Sequence, residues 1–207
     1  LSGIKKALTS AEQGIITDPP DEWLHKVIWQ IPNNLPVQFD HALTGLIGRT
    51  KELDELKKYV SNQRINTIAL VAPGGAGKTA LALDLLNNIV STPSFTKYVD
   101  AVIYVTMKTE KLTADGVITL NSIQTIEELK KSIFETGNLI FDETFEGFED
   151  FVSHKSDTKI LLCIDNLETL LRDFPESFDD LNHGLPEKWQ VLVTSRVAIS
   201  NATILSL

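Results

Sequence analysis

Residues Ala72-Pro73-Gly74-Gly75-Ala76-Gly77-Lys78-Thr79 constrain this chain more than any other stretch. They sit between the short apolar run Thr67-Ile68-Ala69-Leu70-Val71 and a helical pattern over Lys78 to Val90. A strand, a glycine-rich loop and a helix in that order form the setting of a phosphate-binding loop. The glycines let the backbone turn its N–H groups inward, and the positive end of the following helix faces the same anion. Lys78 supplies a mobile charge for β- and γ-phosphates, and the Thr79 hydroxyl is the expected Mg²⁺ ligand. The candidate nucleotide contacts are therefore Pro73, Gly74, Gly75, Ala76, Gly77, Lys78, Thr79 and Ala80. The strict pattern opens with Gly where this chain has Ala72, but Gly-Gly-Ala-Gly-Lys-Thr is intact. A glycine-rich turn without a ligand is the competing reading, and the flanking strand and helix weigh against it. No Asn-Lys-x-Asp segment of the guanine-specific kind occurs, so ATP is the expected base.

The rest of the pattern supports that setting. Glu52 to Val60 places Leu53, Leu56 and Val60 on one helical face. Ala101–Val105, Ile160–Ile164 and Val191–Val193 are further short apolar strands, and Ala202 to Leu207 begins a fifth. Helical patterns cover Ile126 to Phe134, Phe145 to Val152 and Leu167 to Arg172, while Lys108 to Gln124 reads as a polar stretch. Strands alternating with helices predict an α/β fold with a mainly parallel, five-stranded central sheet flanked by helices. Upstream, Asp18-Pro19-Pro20-Asp21 interrupts any helix, and Ile31 to Pro36 reads as an extended linker. Residues 1–40 are thus expected to be a connector from an upstream domain, and 41–207 the nucleotide-binding domain.

Two further positions carry chemistry. Ile160-Leu161-Leu162-Cys163-Ile164-Asp165 is an apolar strand ending in a carboxylate, which near a phosphate loop would face Mg²⁺. The alternative for Asp165 is a cap on the next helix. Asn166 stands where many hydrolysing relatives carry a second acid, leaving Glu168 as the nearby carboxylate able to polarise water. A solvated helix residue is the other reading of Glu168. Arg196, after Val191-Leu192-Val193-Thr194-Ser195, falls at the C-terminal end of a strand, where open α/β sheets bind ligands. It is a candidate for bidentate contact with a γ-phosphate, or else a surface arginine.

Composition excludes several alternatives. With 19 Lys and Arg against 28 Asp and Glu, the net charge of −9 argues against a nucleic-acid backbone surface. One cysteine excludes a disulfide framework and fits a reducing, cytoplasmic setting. No run approaches the roughly 18 apolar residues of a membrane span, and no signal-peptide pattern is present. His25, His41, His154 and His183 lie at no metal-ligand spacing. Cys163 is expected to be a buried small hydrophobe, and Trp23 and Trp29 to pack locally. The acidic, Phe-containing stretch from Phe141 to Phe151 reads as an amphipathic helix. Leu1 in place of Met, and Leu207 inside an apolar run, suggest a segment of a longer protein.

The order of motifs resembles one class of P-loop NTPases. Leu46-Ile47-Gly48-Arg49, then Gly75-Ala76-Gly77-Lys78-Thr79, Leu161-Leu162-Cys163-Ile164-Asp165-Asn166-Leu167-Glu168 and Val191-Leu192-Val193-Thr194-Ser195-Arg196 together resemble STAND NTPases, relatives of the NB-ARC and NACHT domains. The resemblance spans roughly Leu35 to Leu207, and the Asp-Asn-x-Glu form is similar to that of bacterial STAND regulators and antiphage proteins. It implies an Arg196 strand lying between the phosphate-loop and Asp165 strands. It also implies Arg49 beside the nucleotide, Thr79 and Asp165 on Mg²⁺, Glu168 on water, and Arg196 sensing the γ-phosphate. The family's helical lid and winged-helix parts would follow Leu207.

What the resemblance implies for function is an ATP/ADP switch that forms homo-oligomers on activation. Fused effector and sensor domains would lie outside the segment, with no direct nucleic-acid or membrane binding by the segment itself. Antiviral defence is the leading setting. The alternatives are a STAND transcription regulator and a module that keeps nucleotide as structure without turnover. Any ATPase activity of the isolated segment would be slow or nil, since one missing arginine contact can be worth a factor of about 10³–10⁵.

Overall fold

The computed structural model describes residues 30–36, 48–107, 110–113, 116–119, 123, 125–173 and 175–207. Five strands form one sheet: β1 (Thr67–Val71), β2 (Ala101–Thr106), β5 (Ile160–Asp165), β6 (Gln190–Ser195) and β7 (Thr203–Ser206). Their spatial order is β2-β5-β6-β1-β7 and every pairing is parallel. The α/β, parallel five-stranded architecture expected from the sequence is the one observed, and β6 lies between β1 and β5 as the resemblance implied.

Parallel strands are covered on both faces, so they read as nearly unbroken apolar runs. Every residue of β5 and β6 is buried. Alternation then divides the side chains between two cores. Leu161, Cys163, Leu192, Ile68 and Leu70 pack with α1 (Thr50–Val60) and α2 (Lys78–Ser91). Ile160, Leu162, Ile164, Val191 and Val193 face the other core. There they meet α3 (Ile126–Phe141), α4 (Phe148–His154), α5 (Glu168–Asp173) and α6 (Pro175–His183). A short 3₁₀ turn, Pro93–Lys97, leads from α2 towards β2.

Local signals set several boundaries. Thr125 and Glu128 exchange bonds in a capping box that starts α3, which runs past the expected Phe134 to Phe141 and stops at Asp142 in the left-handed region. α4 begins at Phe148 after Gly147, three residues later than the Phe145 start read from the pattern. The acidic stretch is therefore not one helix: residues 142–147 lie between α3 and α4, with Phe145 buried and Glu146 exposed in that connection and Phe151 buried on α4. The polar stretch from Lys108 contains an antiparallel hairpin, β3 (Glu110–Thr113) with β4 (Gly116–Thr119). α6 is a further element that no apolar periodicity noted above covers.

Residues 31–36, read from the sequence as a linker, dock on the edge strand β2. Ile31 is 1% exposed, Asn33 forms a parallel bridge with Val102, and the Val102 N–H donates to the Pro32 carbonyl at 2.9 Å. Asp18 to Asp21, Trp23, His25, Trp29, His41 and Leu46-Ile47 fall outside the described residues.

Candidate nucleotide site

The C-terminal ends of β1, β6 and β5 lie side by side, and the loops leaving them line a cleft of about 300 Å³. Gly74, Gly75, Ala76, Gly77, Lys78, Thr79 and Ala80 form one wall, while Asn166, Glu168, Thr194 and Arg196 form the other. The loop needs its glycines where the chain reverses: Gly75 has φ 80° and Gly77 φ 84°, both left-handed. Gly77 is also the residue that caps α2, a helix without acidic residues in its first turn. The free N–H groups and positive end of α2 therefore face the cleft uncompensated by a first-turn carboxylate. Lys78 is buried, and its ammonium donates to the carbonyls of Ala72 at 2.8 Å and Pro73 at 3.1 Å. Two of its three N–H donors thus brace the loop across itself. Pro73 contributes through that carbonyl and is not among the residues lining the cleft.

Asp165 is fully buried beneath the loop and surrounded by hydroxyls. Its Oδ1 accepts from Thr79 Oγ1 at 2.8 Å and from Thr194 Oγ1 at 2.6 Å. Its Oδ2 accepts from Thr106 Oγ1 at 3.3 Å and from the Tyr104 hydroxyl at 3.4 Å. A buried carboxylate is tolerable only when hydrogen-bonded in this way. Burial, and then the negative charge of Asp165, push the Tyr104 phenol well above its ordinary range, so it stays a neutral donor. The Cys163 thiol is raised for the same two reasons. It is the buried small hydrophobe its sequence context implied.

The remaining wall is built from β6 and the turn after β5. Thr194 accepts the Asn166 N–H at 2.9 Å on the same hydroxyl that it donates to Asp165, tying the two strand ends together. Asn166 sits at φ 71°, a left-handed conformation in which Asn is enriched, and its carboxamide donates to Thr169 Oγ1 at 3.2 Å. The Arg196 guanidinium lies across Gly74, where an added Cβ would meet Cζ at 3.3 Å. Its Nε is 2.9 Å from Glu168 Oε1, close enough for an ion pair yet without hydrogen-bond alignment. Glu168 is nearly buried and Arg196 largely exposed.

The structure thus brings Lys78, Thr79, Asp165, Glu168 and Arg196 to one place. Arg49 does not line the cleft; it pairs with Glu52 at 2.8 Å at the start of α1. Thr194, Tyr104 and Thr106 were missed by sequence reading, although a hydroxyl within the apolar run before Arg196 was a visible signal. Among the described residues no group of three or more His, Cys, Asp or Glu could hold a metal. The oxygen pair of Thr79 and Asp165 still fits Mg²⁺, which takes one carboxylate and a hydroxyl alongside phosphate oxygens and water.

The fold is shared with a solved structure. Drosophila ORC bound to DNA aligns over 81% of this chain and 44% of that chain, with 15% identity and a TM-score of 0.51. The chain has the P-loop NTPase fold. Weaker likenesses are to C. elegans PCH-2 (17% identity, 86% of this chain, 47% of that chain, TM-score 0.45) and to closed-state Hsp104 with ATPγS and FITC casein (14%, 82%, 29%, TM-score 0.40). The chain spans less than half the length of each. No family model and no curated protein matches it. Among the described residues no helix is long and apolar enough to cross a membrane.

Proposed function

We propose that this P-loop domain is the ATP/ADP-binding switch and oligomerisation domain of a bacterial STAND protein acting in antiviral defence. The observation that carries the nucleotide reading is the 2.8 Å contact joining Thr79 of the phosphate loop to the buried Asp165 carboxylate. On this reading the loop N–H groups and Lys78 hold the β- and γ-phosphates, while Thr79 and Asp165 hold Mg²⁺. The metal supplies charge that offsets the phosphates when bound. Arg196 is held by Glu168 until a γ-phosphate competes for its guanidinium, a contact that ADP does not offer. The nucleotide domain comprises residues 41–207 and the connector 1–40, in a cytoplasmic protein. Its effector and sensor domains are fused outside this segment, and no nucleic acid or membrane binds to it.

The test is light scattering on the full chain that carries this segment, loaded with ADP or with Mg-ATP. Assembly with ATP and not with ADP is expected; the same mass in both states refutes the switch. A second reading, nucleotide kept as structure without turnover, is favoured by Asn166 in place of a second acid and by Glu168 facing Arg196. Phosphate release above that of Asp165→Ala and Glu168→Ala variants supports turnover, and equal release supports the static module. A STAND transcription regulator would carry the same site, distinguished by a fused DNA-binding domain.

A further inference from the structure

The connector segment reaches the buried carboxylate through one residue. The Asn34 carboxamide makes both main-chain bonds of Tyr104: Oδ1 accepts the Tyr104 N–H at 2.7 Å, and Nδ2 donates to the Tyr104 carbonyl at 2.8 Å. That pair reproduces with a side chain what a neighbouring strand would supply to the edge of the sheet. It continues the pairing begun by Pro32 and Asn33 at Val102. The chain on either side is fixed as well. The Ile31 N–H donates to the Val90 carbonyl at 3.0 Å, and Asn33 Oδ1 accepts the Leu35 N–H at 3.1 Å. From the same residue the Tyr104 hydroxyl reaches Asp165 Oδ2, while Oδ1 of that carboxylate holds Thr79.

We infer that Asn34 is a positioning residue for the metal-binding carboxylate, coupling the docking of the 31–36 segment to Mg²⁺-nucleotide loading. This rests on the nucleotide reading given above. The coupling is physical: Asn34 fixes the height of Tyr104 along β2, and Tyr104 is one of the hydroxyls that orient Asp165. Coupling between two sites is reciprocal, so loading the site with Mg²⁺ and nucleotide tightens the segment on β2. A conformational change in whatever precedes residue 31 thereby has a route to the phosphates.

The test uses the whole chain and reads the Mg²⁺ concentration that gives half of the metal-dependent gain in ATP affinity, beside ATP affinity in EDTA. Asn34→Ala and Tyr104→Phe are each expected to raise that midpoint about threefold to tenfold, the size of one or two hydrogen bonds, while ATP affinity in EDTA stays unchanged. A merely structural loss would weaken ATP binding in EDTA as well. Combined, the two substitutions are expected to give less than the product of their separate effects. Hydrogen exchange provides the second readout: Mg-ATP slows exchange at the Val102 and Tyr104 amides in the unsubstituted chain and not in Asn34→Ala. Tyr104→Phe preserves core volume and keeps the test open should Asn34→Ala unfold. An unchanged midpoint in both variants, or fully multiplicative effects, overturns the inference. Absence of ATP binding by the unsubstituted chain instead overturns the nucleotide reading itself.

Discussion

Thr194→Val removes one hydroxyl and leaves the shape of the side chain nearly unchanged. That hydroxyl makes two bonds in a dry place: it donates to Asp165 at 2.6 Å and accepts the Asn166 N–H at 2.9 Å. Thr194 is 1% exposed and Asp165 0%, so water cannot easily replace either bond. A hydrogen bond to a charged group is worth about 1.5–3 kcal/mol, and an orphaned buried N–H costs about 1–3 kcal/mol. Asp165 Oδ1 keeps Thr79, and Asn166 is only half-buried, so the lower part of that sum applies. The expected loss is about 2.5–4 kcal/mol. With a urea m-value of about 2–3 kcal/mol per molar, the unfolding midpoint should fall by about 1–2 M at unchanged m. Thr194→Ser keeps the hydroxyl and should lose only about 1 kcal/mol for the missing methyl. If Thr194→Val shifts the midpoint by less than about 0.3 M, the buried network around Asp165 is not what joins β5 to β6.

Other parts of the structure can be tested separately. Gly137→Ala places a Cβ 2.6 Å from the ring of Phe151, which is itself fully buried against Trp189 and Phe145. Overpacking of about 1–3 kcal/mol should exceed the helix-propensity gain of about 1 kcal/mol, so Tm should fall in a calorimetric scan; a rise contradicts the close α3–α4 contact. In alkali, Cys163 and Tyr104 stay neutral in the fold, while the unfolded chain ionises near the ordinary values of 9.0 and 10.0. Above about pH 9 the native state therefore holds more protons. Its stability should fall with a slope of up to about 1.4 kcal/mol per pH unit for each group, and Cys163→Ala should flatten the first part of that decline in urea titrations. An unaltered pH profile for Cys163→Ala would show that the thiol is not withheld from ionisation.

The strands and the phosphate loop were legible in the sequence because burial on both faces of a parallel sheet leaves continuous apolar runs, each ending where a functional loop begins. Glycine at Gly75 and Gly77, and the carboxylate after Ile164, interrupt those runs for reasons of backbone geometry and charge that a sequence displays directly. The β3–β4 hairpin was hidden by its polar composition: neither four-residue strand carries an unbroken apolar run. α6 carried its own marker, Pro175 at the first helical position with Phe178 and Leu181 spaced to face the core. Contacts between residues distant in the chain could not be read. Nothing local in Asn34 or Tyr104 announces a partner 70 residues away. The hydroxyls of Thr106 and Thr194 acquire meaning only once β2, β5 and β6 are adjacent. Asn166, read as a departure that weakens catalysis, has in addition a conformational reason at φ 71°. The pairing of Arg49 with Glu52 at the start of α1 was likewise not readable from the sequence.

The central claim is that the loop between β1 and α2 binds a nucleotide through its phosphates. Isothermal calorimetry of Mg-ATP against the unsubstituted chain and Lys78→Ala addresses it directly. Lys78 is the one side-chain cation of the loop, already anchored on the Ala72 and Pro73 carbonyls. Its removal deletes a charge-assisted phosphate contact and frees the loop, so affinity should drop by about tenfold or more. Equal Mg-ATP affinity in the two proteins would contradict the account.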